Sequence, residues 1–333
     1  MSRRDKKEWT RTELLRLSSS YWQGCALQTG VRLGVFGAVA SGGMTAREIA
    51  EKVQGDPRGV ALLLNALSAM GLLVHEGERY ANTPAADSLL VRESPGYIGH
   101  VVSLHYHLMA AWSRLDAAVR SGKPVRKKPT RDEAERESFL MGMFNLAMDI
   151  APRLAERLDL AGRRRLLDLG GGPGTYAVHF CLANPGLRAT VYDLSTTRPF
   201  AEKIISEFGV ADRVEFTAGD YVRGKINGTY DVAWLSQILH SVGPGDARKI
   251  VEKAVSALAP GGLLLIHDFI LEESLDAPLF PAVFSLNMLV NTDEGRSYSE
   301  GQLREIMEEA GLRDIRRFPF TGPNASGVLM GYR

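Results

Sequence analysis

Three alternating glycines and a distant acid give the first chemical signal in this 333-residue chain. The apolar run Leu166–Leu169 ends at Gly170, and Gly172 and Gly174 follow, so the backbone can adopt positive φ there and approach a ligand closely. Asp193 stands about twenty residues further on, after a second apolar run, where an acid that binds ribose hydroxyls is expected. A glycine-rich corner alone also occurs for steric reasons. Together with the acid, it indicates a cofactor that contains a nucleoside.

The segments that must position these residues alternate between short apolar runs and helical stretches. Apolar runs lie at 166–169, 188–192, 214–216, 231–235 and 263–270, and helices are expected at 175–183, 199–208 and 246–258. Repeated strand–helix units predict an α/β domain with a parallel sheet covered by helices on both faces. Ligands bind such sheets at the carboxyl ends of the strands. Polar residues fall at those ends, namely Asp168, Asp193, Asp220, the segment 236–240 and Asp268, so one shared site is predicted.

The N-terminal part of the chain carries more apolar surface than its helices can hide. One predicted helical stripe contains Leu14, Leu15, Tyr21, Trp22, Cys25 and Ala26, and a second apolar segment spans 33–40. This surplus suggests a subunit interface, with packing against the chain's own core as the alternative.

Residues 45–81 follow the order helix, helix, hairpin that is typical of winged-helix domains. Thr45 begins a capping box, and Asp56 with Pro57 predicts a helix that ends near residue 70, before a hairpin at 72–75 and 79–81. A helix that reads DNA needs several side-chain donors. Between positions 58 and 70 the only charged residue is Arg58, so DNA binding is disfavoured.

A further helix is predicted over 95–119, and it carries several histidines. His100 and His107 share a face while His105 points elsewhere, and no carboxylate completes a ligand set, so metal binding is disfavoured. The polar stretch 121–129 is expected to be a flexible link, and helices are expected at 139–148 and 151–158.

Charge balance and cysteine content exclude several functional classes. Lys and Arg number 40 against 39 Asp and Glu, so no overall field attracts nucleic acid or a membrane surface, and small molecules are the expected partners. No apolar run is long enough to span a membrane and the basic segment 1–7 precedes no apolar leader, so a soluble, cytoplasmic protein is expected. Cys25 and Cys181 lack zinc spacing, and both are expected to be reduced and buried.

Several motifs together support a resemblance to a known family. They are residues 167–174, Asp193, Gly219-Asp220-Tyr221, Ile238-Leu239-His240 and Pro260-Gly261-Gly262. The chain resembles S-adenosylmethionine-dependent O-methyltransferases of the caffeate and hydroxyindole type, and their bacterial small-molecule relatives, over nearly its whole length. The resemblance implies a Rossmann-like methyltransferase domain at 161–333, with a mostly parallel seven-stranded sheet. It also implies an N-terminal helical, winged-helix dimerisation domain at 10–95, linking helices at 96–160 that contribute to the substrate pocket, and a homodimer.

The resemblance implies which residues hold S-adenosylmethionine, with S-adenosylhomocysteine as the product. Gly170 and Gly172 would hold the methionine portion, Asp168 would lie near its amino group, and Asp193 would accept from both ribose hydroxyls. The implied set is Asp168, Gly170, Gly172, Gly174, Asp193, Leu194, Gly219, Asp220, Tyr221 and Ser236.

The adenine end of this set carries open alternatives. Asp220 would accept from the adenine amino group, with Tyr221 beside the ring, but Asp220 could instead be a turn residue. Asp193 could equally cap the helix that follows it. Ser236 stands where plant members usually have lysine, so its contact with the cofactor differs from theirs.

His240 is the catalytic residue that the resemblance implies, as the general base that removes the acceptor's hydroxyl proton. Asp268 would hold the imidazole in the required tautomer. A second orienting acid of the relatives falls on Ser297, which cannot replace a carboxylate, and Ser241 follows the histidine where plant members have aspartate. The alternative is that His240 is a core or helix-capping histidine.

The implied acceptor pocket is lined by aromatic, amide and methionine side chains. They are His105, Tyr106, Trp112, Phe144, Asn145, Met148, Phe284, Asn287, Met288 and Asn291; each taken singly could be plain core. The expected reaction is methyl transfer to a hydroxyl of a small aromatic or polyketide-like metabolite, without a metal. Decarboxylation or hydroxylation on the same fold, and a winged-helix regulator, are the alternatives.

Overall fold

The computed structural model describes residues 8–125 and 133–333. Within the chain, contacts separate two compact units, Met1–His107 and Leu108–Arg333. The basic segment 1–7 and the second half of the predicted flexible link lie outside the described residues. None of the described helices is long and apolar enough to cross a membrane.

The first unit is mainly helical and contains one small antiparallel sheet. Its helices are α1 (Arg11–Ser19), α2 (Tyr21–Arg32), α3 (Val35–Val39), α4 (Ala46–Lys52), α5 (Pro57–Ala69), α6 (Pro84–Leu90) and α7 (Gly99–Trp112), of which the last crosses the boundary. Strands β1 (Met44–Thr45), β2 (Leu73–Glu76) and β3 (Arg79–Asn82) pair in the order β1-β3-β2. The predicted order of helix, helix and hairpin is confirmed. The caps form as predicted, since Thr45 accepts from the Glu48 amide and Asp56 from the Gly59 amide.

The apolar side chains near the start of the chain lie partly in the core of the first unit and partly on its surface. Helix α3 is buried in the unit's own core with Ile49 and Leu64, so for residues 35–39 the packing alternative is correct. Leu15 and Trp22 on α1 and α2 are 62% and 64% exposed. The single predicted stripe divides between two helices, because α1 ends at Ser19 and α2 begins at Tyr21; Ser20 between them keeps right-handed helical backbone angles. The exposed faces of α1 and α2 therefore carry the surface that suggested an interface.

The second unit contains helices and strands in regular alternation. Its helices are α8 (Leu115–Ser121), α9 (Glu133–Met148), α10 (Ala151–Arg157), α11 (Thr175–Ala183), α12 (Arg198–Glu207), α13 (Pro244–Ala257), α14 (Leu279–Asn291) and α15 (Glu300–Glu309). Its strands are β4 (Arg165–Leu169), β5 (Arg188–Asp193), β6 (Val214–Ala218), β7 (Tyr230–Ser236), β8 (Leu258–Leu271), β9 (Tyr298–Ser299), β10 (Arg313–Thr321) and β11 (Ser326–Tyr332).

The sheet has the predicted mostly parallel form. Its strand order is β10-β11-β8-β7-β4-β5-β6, and the short β9 pairs with β8. Strands β4 to β8 pair in parallel, whereas β11 is antiparallel to both β8 and β10. The five apolar runs that predicted strands all lie in strands of this sheet.

Two predictions from the sequence, a single helix over 95–119 and burial of both cysteines, are wrong. The helix predicted over 95–119 is two helices, α7 and α8, because Ser113 bonds back to the Ala110 carbonyl and the Arg114 amide bonds to Ala111. A side-chain hydroxyl that competes for backbone groups favours such a break. Neither cysteine forms a disulfide, and only Cys181 is buried; its burial raises the pKa of the thiol to about 11. Cys25 is half-buried.

Alternation along the strands sends neighbouring side chains to opposite faces of the sheet. Leu166 and Trp234 belong to the core beneath α10, α11 and α12, whereas Leu167 and Leu235 belong to the core beneath α13 and α15. The same alternation separates His267 from Asp268 at the end of β8. The polar residues at the strand ends therefore lie at the same edge of the sheet but on both of its faces.

Candidate active site

The glycine turn has the backbone geometry that the sequence predicted. Gly170, Gly172 and Gly174 have φ of 68°, 55° and 78°, and Gly174 is the N-cap of α11. A Cβ at Gly170 would lie 2.7 Å from a methyl group of Ile238. Side chains larger than hydrogen would therefore clash here as well as strain the backbone.

Asp168 places an unused acceptor beside this turn. Its side chain is fully buried, and Oδ2 accepts from the Ala177 amide at 3.3 Å. Oδ1 is buried with no hydrogen-bond partner among the described residues. Burial raises the pKa of this carboxyl to about 7, and the negative charge of Asp193 adds to the rise. A buried acceptor without a donor fits a cofactor that brings an ammonium group.

Asp193 is already engaged with the protein. Its Oδ2 accepts from the Gly172 amide at 2.8 Å, and Oδ1 accepts from the Leu194 amide at 2.6 Å and the Thr197 hydroxyl at 3.0 Å. Asp193 nevertheless occupies no N-cap position, since Leu194 is the N-cap of the 3₁₀ turn Ser195–Thr197 and Thr197 is the N-cap of α12. A carboxylate offers about four acceptor sites, so a ribose hydroxyl would share them with these donors. Burial raises the pKa of Asp193.

Asp220 also makes the turn contacts that were its alternative. Its Oδ1 accepts from the Val222 and Arg223 amides at 2.8 and 3.0 Å. Gly219 donates its amide to the Asp193 carbonyl at 2.8 Å, which ties this turn to the end of β5. A Cβ at Gly170 would lie 3.5 Å from the Tyr221 ring. Tyr221 therefore lines the glycine turn.

Ser236 has a partner that the sequence did not predict. Its hydroxyl lies 2.8 Å from His267 Nδ1, on the face of the sheet that α11 covers. Gln237 follows with φ of 58° and donates its amide to the His267 carbonyl at 2.8 Å. The sequence drew attention only to Asp268, but strand alternation places the side chain of its neighbour His267 on the opposite face of the sheet.

His240 and Asp268 meet as the resemblance implied. His240 Nδ1 lies 2.7 Å from Asp268 Oδ1, and the His240 amide donates to Oδ2 at 3.3 Å. The Phe269 amide also donates to Oδ1, at 2.8 Å. His240 sits on a short 3₁₀ turn, Leu239–Ser241, and is 8% exposed. This geometry provides an oriented imidazole, and it equally satisfies one ring nitrogen of a core histidine.

Ser297 is held by α14. Its amide donates to the Ser285 hydroxyl at 3.1 Å, and its own hydroxyl donates to the Pro281 carbonyl at 2.9 Å. The Glu294 carboxylate lies against Gly243, the N-cap of α13.

Three phenylalanines form an aromatic group beside His240, and two of them face its imidazole. The rings of Phe284 and Phe269 lie 4.8 and 6.0 Å from that ring, and Phe280 lies 4.9 Å from Phe269. Only Phe284 was named from the sequence. The wall beside the base is therefore aromatic, which suits a flat, apolar acceptor.

The other pocket candidates fall into separate groups. Trp112 Nε1 donates to Asn287 Oδ1 at 2.9 Å, and the Asn291 amide donates to the same oxygen at 3.1 Å. Met288, on the same helix α14, is buried.

Helix α9 places its candidates elsewhere. Phe144 lies edge-on to Phe208 on α12, and Met148 Sδ lies 3.3 Å from His179 Nε2 on α11. These are packing contacts, and Asn145 lies between them in sequence. His105 and Tyr106 belong to the first unit, where the Arg32 guanidinium stacks 3.7 Å from the Tyr106 ring centre.

Comparison with known proteins decides the family. The profile described as O-methyltransferase domain matches residues 112–313, and that described as O-methyltransferase dimerisation domain matches 15–92. The chain belongs to the O-methyltransferase family. A 3-hydroxy-5-methyl-1-naphthoate 3-O-methyltransferase of Streptomyces sahachiroi is 33% identical, covering 97% of this chain and 95% of the relative. A tetracenomycin polyketide synthesis 8-O-methyl transferase of Streptomyces glaucescens is 32% identical, covering 95% of each.

Solved O-methyltransferases share the fold. Human N-acetylserotonin methyltransferase, solved in complex with S-adenosylmethionine, has a TM-score of 0.87 at 23% identity and covers 99% of each chain. The methyltransferase fold with an N-terminal dimerisation domain is therefore confirmed. S-adenosylmethionine is the cofactor of the O-methyltransferase family to which the chain belongs. The division of the chain at residues 95 and 160 stays a prediction.

Proposed function

We propose that this O-methyltransferase transfers a methyl group to a hydroxyl of a small aromatic or polyketide-like metabolite, with His240 as the general base. The observation that carries the proposal is the 2.7 Å contact between His240 Nδ1 and Asp268 Oδ1. A carboxylate at this distance keeps the proton of a neutral imidazole on Nδ1 and leaves a lone pair on Nε2. Nε2 is then the atom that takes the hydroxyl proton.

A base is needed because a phenol is a weak nucleophile at neutral pH. With a pKa near 10, only about one phenol in a thousand is ionised at pH 7, a deficit of roughly 4 kcal/mol. Transfer of that proton to Nε2 as the oxygen attacks offsets part of the deficit, and such catalysis contributes about 10²–10⁴-fold. Asp268 stabilises the imidazolium that results.

The strand ends supply the proposed cofactor contacts. S-adenosylmethionine, when bound, supplies a methyl group on a positively charged sulfur. Asp168 offers its unpaired Oδ1 to the ammonium group, and the positive-φ glycines give room for the methionine end. Asp193 and Leu194 would hold the ribose, and Gly219, Asp220 and Tyr221 the adenine, with Ser236 at the neighbouring strand end.

The acceptor class rests on the aromatic wall and on the relatives. Phe269 and Phe284 present rings beside His240, and Phe280 packs against both of them, so the aromatic group favours a planar apolar molecule. One bacterial relative is named for a hydroxylated naphthoate and another for tetracenomycin polyketide synthesis. Trp112, Asn287, Met288 and Asn291 would complete the pocket from α14 and its neighbour.

Methyl transfer can be measured without knowing the natural acceptor. We expect the methyl label of S-adenosylmethionine to enter a hydroxylated naphthoate or a related phenolic polyketide, with a mass gain of one methylene group. The matched control is the same ring with its hydroxyl already methylated. A substrate that changes mass without gaining the label would instead indicate decarboxylation or hydroxylation.

A homodimer is proposed through the exposed apolar faces of α1 and α2. Leu15 and Trp22 have the highest exposed fractions among the large apolar side chains there, and residues 15–92 match a dimerisation domain. Light scattering of the protein should give twice the mass of the chain, 36.4 kDa. Trp22→Asp should shift the mass toward one chain, whereas Leu62→Asp, at another exposed leucine, is the control.

A further inference from the structure

Two neighbouring residues of β8 hold opposite ends of the segment that carries His240. Asp268 binds the His240 amide and imidazole. His267 binds the start of the same segment, through its side chain to Ser236 and through its carbonyl to the Gln237 amide at 2.8 Å. The segment between strand β7 and the base is thus fixed at both ends by consecutive residues on opposite faces of the sheet.

The His267 side chain is also linked to the helix that follows the glycine turn. The Tyr176 hydroxyl lies 3.4 Å from His267 Nδ1, and Tyr176 is the second residue of α11. The Tyr176 and Ser236 hydroxyls therefore lie against the same nitrogen, His267 Nδ1. Tyr176, His267 and the half-buried Ser236 form one cluster. The cluster joins the helix that follows the glycine turn to the segment that carries His240.

The cluster is rigid for reasons of packing and charge. His267 is fully buried, and its ring stacks 5.7 Å from that of Trp234 at an angle of 18°. Burial lowers the pKa of His267 to about 4, so the imidazole is neutral at physiological pH. A neutral ring that packs on tryptophan, with hydroxyls at Nδ1, has few alternative positions.

Backbone geometry explains why such a restraint is needed. Gln237 has φ of 58°, a left-handed conformation that is unfavourable for a residue with a side chain. The bond from its amide to the His267 carbonyl and the bond from Ser236 to His267 hold this conformation from both sides. Relaxation of Gln237 would move His240, which lies three residues further on.

We infer that His267 is a positioning residue of the methyl transfer. Together with Tyr176 and Ser236, it holds the glycine turn and the segment that carries His240 against the same strand, β8. It thereby sets the alignment of the base with the methyl donor. This inference rests on the proposed function, since it assigns His267 an effect on the base. His267 itself touches neither reactant.

The test compares His267→Asn with His267→Leu. Asparagine places an amide group near the position of Nδ1, so it keeps the bond to Ser236, whereas leucine keeps more of the buried volume. We expect His267→Leu to lower kcat by about 10–100-fold with little change in acceptor KM, because misplacement of reacting groups has effects of this size. His267→Asn should recover most of kcat. If His267 acted only by filling space, His267→Leu would retain a higher kcat than His267→Asn. That result would overturn the inference.

Hydrogen exchange supplies a readout that does not depend on catalysis. In the cofactor-free protein, amide exchange in the segment 236–241 should be faster in His267→Leu than in the native protein, and close to native in His267→Asn. Ser326→Ala is the control, because Ser326 is fully buried on the neighbouring strand β11 and lies outside this cluster. It should leave both exchange and kcat unchanged.

Tyr176→Phe keeps the test decisive if His267→Leu does not fold. Loss of one hydroxyl should raise exchange in 236–241 modestly and lower kcat by a few-fold, and native values for both would overturn the inference. Failure of the proposed base is distinguishable. In that case His240→Gln would leave kcat unchanged, while the exchange order of the two His267 variants would persist.

Discussion

Two regions of the second unit are built in different ways: the cofactor edge, around Asp168, the glycine turn and Asp193, and the base edge, around His240 and Asp268. At the cofactor edge, the Asp193 carboxylate accepts from the Gly172 amide and the Asp168 carboxylate from the Ala177 amide, all within a single strand–turn–helix–strand unit. At the base edge, His240, Asp268 and Phe284 come from three segments distant in sequence. Local geometry thus fixes the cofactor edge, whereas long-range packing fixes the base edge. Changes at the base edge should accordingly show in turnover, and changes at the cofactor edge in binding.

Replacement of the base should have the largest effect. In His240→Gln we expect kcat to fall by about 10²–10⁴-fold, because the hydroxyl proton then has no positioned acceptor. Cofactor affinity, measured by calorimetry with S-adenosylhomocysteine, should stay near native. His179→Gln, a histidine on α11 with packing contacts, is the matched control. A native rate in His240→Gln would mean that the acceptor ionises unaided.

Asp268→Asn should have the next largest effect. An amide can direct its NH₂ toward Nδ1 and so favour the wrong tautomer, which removes the lone pair from Nε2. We expect kcat to fall by about 10–10²-fold, with recovery toward high pH if the acceptor can ionise there. A pH–rate profile on both proteins checks this. Equal profiles would show that Asp268 does not orient the base.

At the cofactor edge, pH should change affinity rather than rate. The Asp168 carboxyl has a pKa of about 7 in the cofactor-free protein. It is therefore protonated below that pH, and only its ionised form attracts an ammonium group. S-adenosylmethionine should bind more tightly as pH rises toward 7 and then level off, by up to about tenfold per pH unit. Calorimetry in buffers of different ionisation enthalpy should show proton release on binding. A flat profile would contradict the raised pKa, and Asp168→Asn should remove the pH dependence.

The smallest effect is expected at Ser297. Ser297→Ala removes the hydroxyl that donates to the Pro281 carbonyl. Thermal unfolding should show a loss of stability of about 1 kcal/mol, and kcat should change by less than about twofold. A large loss of turnover would place Ser297 in the base machinery and weaken the division between the two edges.

Sequence patterns predicted most of the fold because each pattern has a local cause. The strand β4, helix α11 and the caps at Thr45 and Asp56 follow from apolar period, glycine conformation and side-chain capping. The break between α7 and α8 escaped prediction, since a single Ser113 hydroxyl decides it and hydroxyls are common in unbroken helices.

Sites made by distant segments were predicted less completely. Asp268 was identified through the family resemblance, but Phe269 and Phe280 were missed because nothing in their local sequence distinguishes them from ordinary core residues. Phe144 and Met148 were grouped with the pocket by their type, and the structure shows their contacts with α12 and α11.

The sequence by itself determined the α/β alternation, the glycine turn and the acids at the strand ends, because each depends on the conformational preferences of neighbouring residues. Only the tertiary structure decided which side chains share a face and which donors each acid already holds. It paired Ser236 with His267 and left Asp168 Oδ1 unpaired, and it separated His267 from Asp268 across the sheet. The physical reason is that register between strands and the packing of helices on them are set by the whole core, so no short segment encodes them.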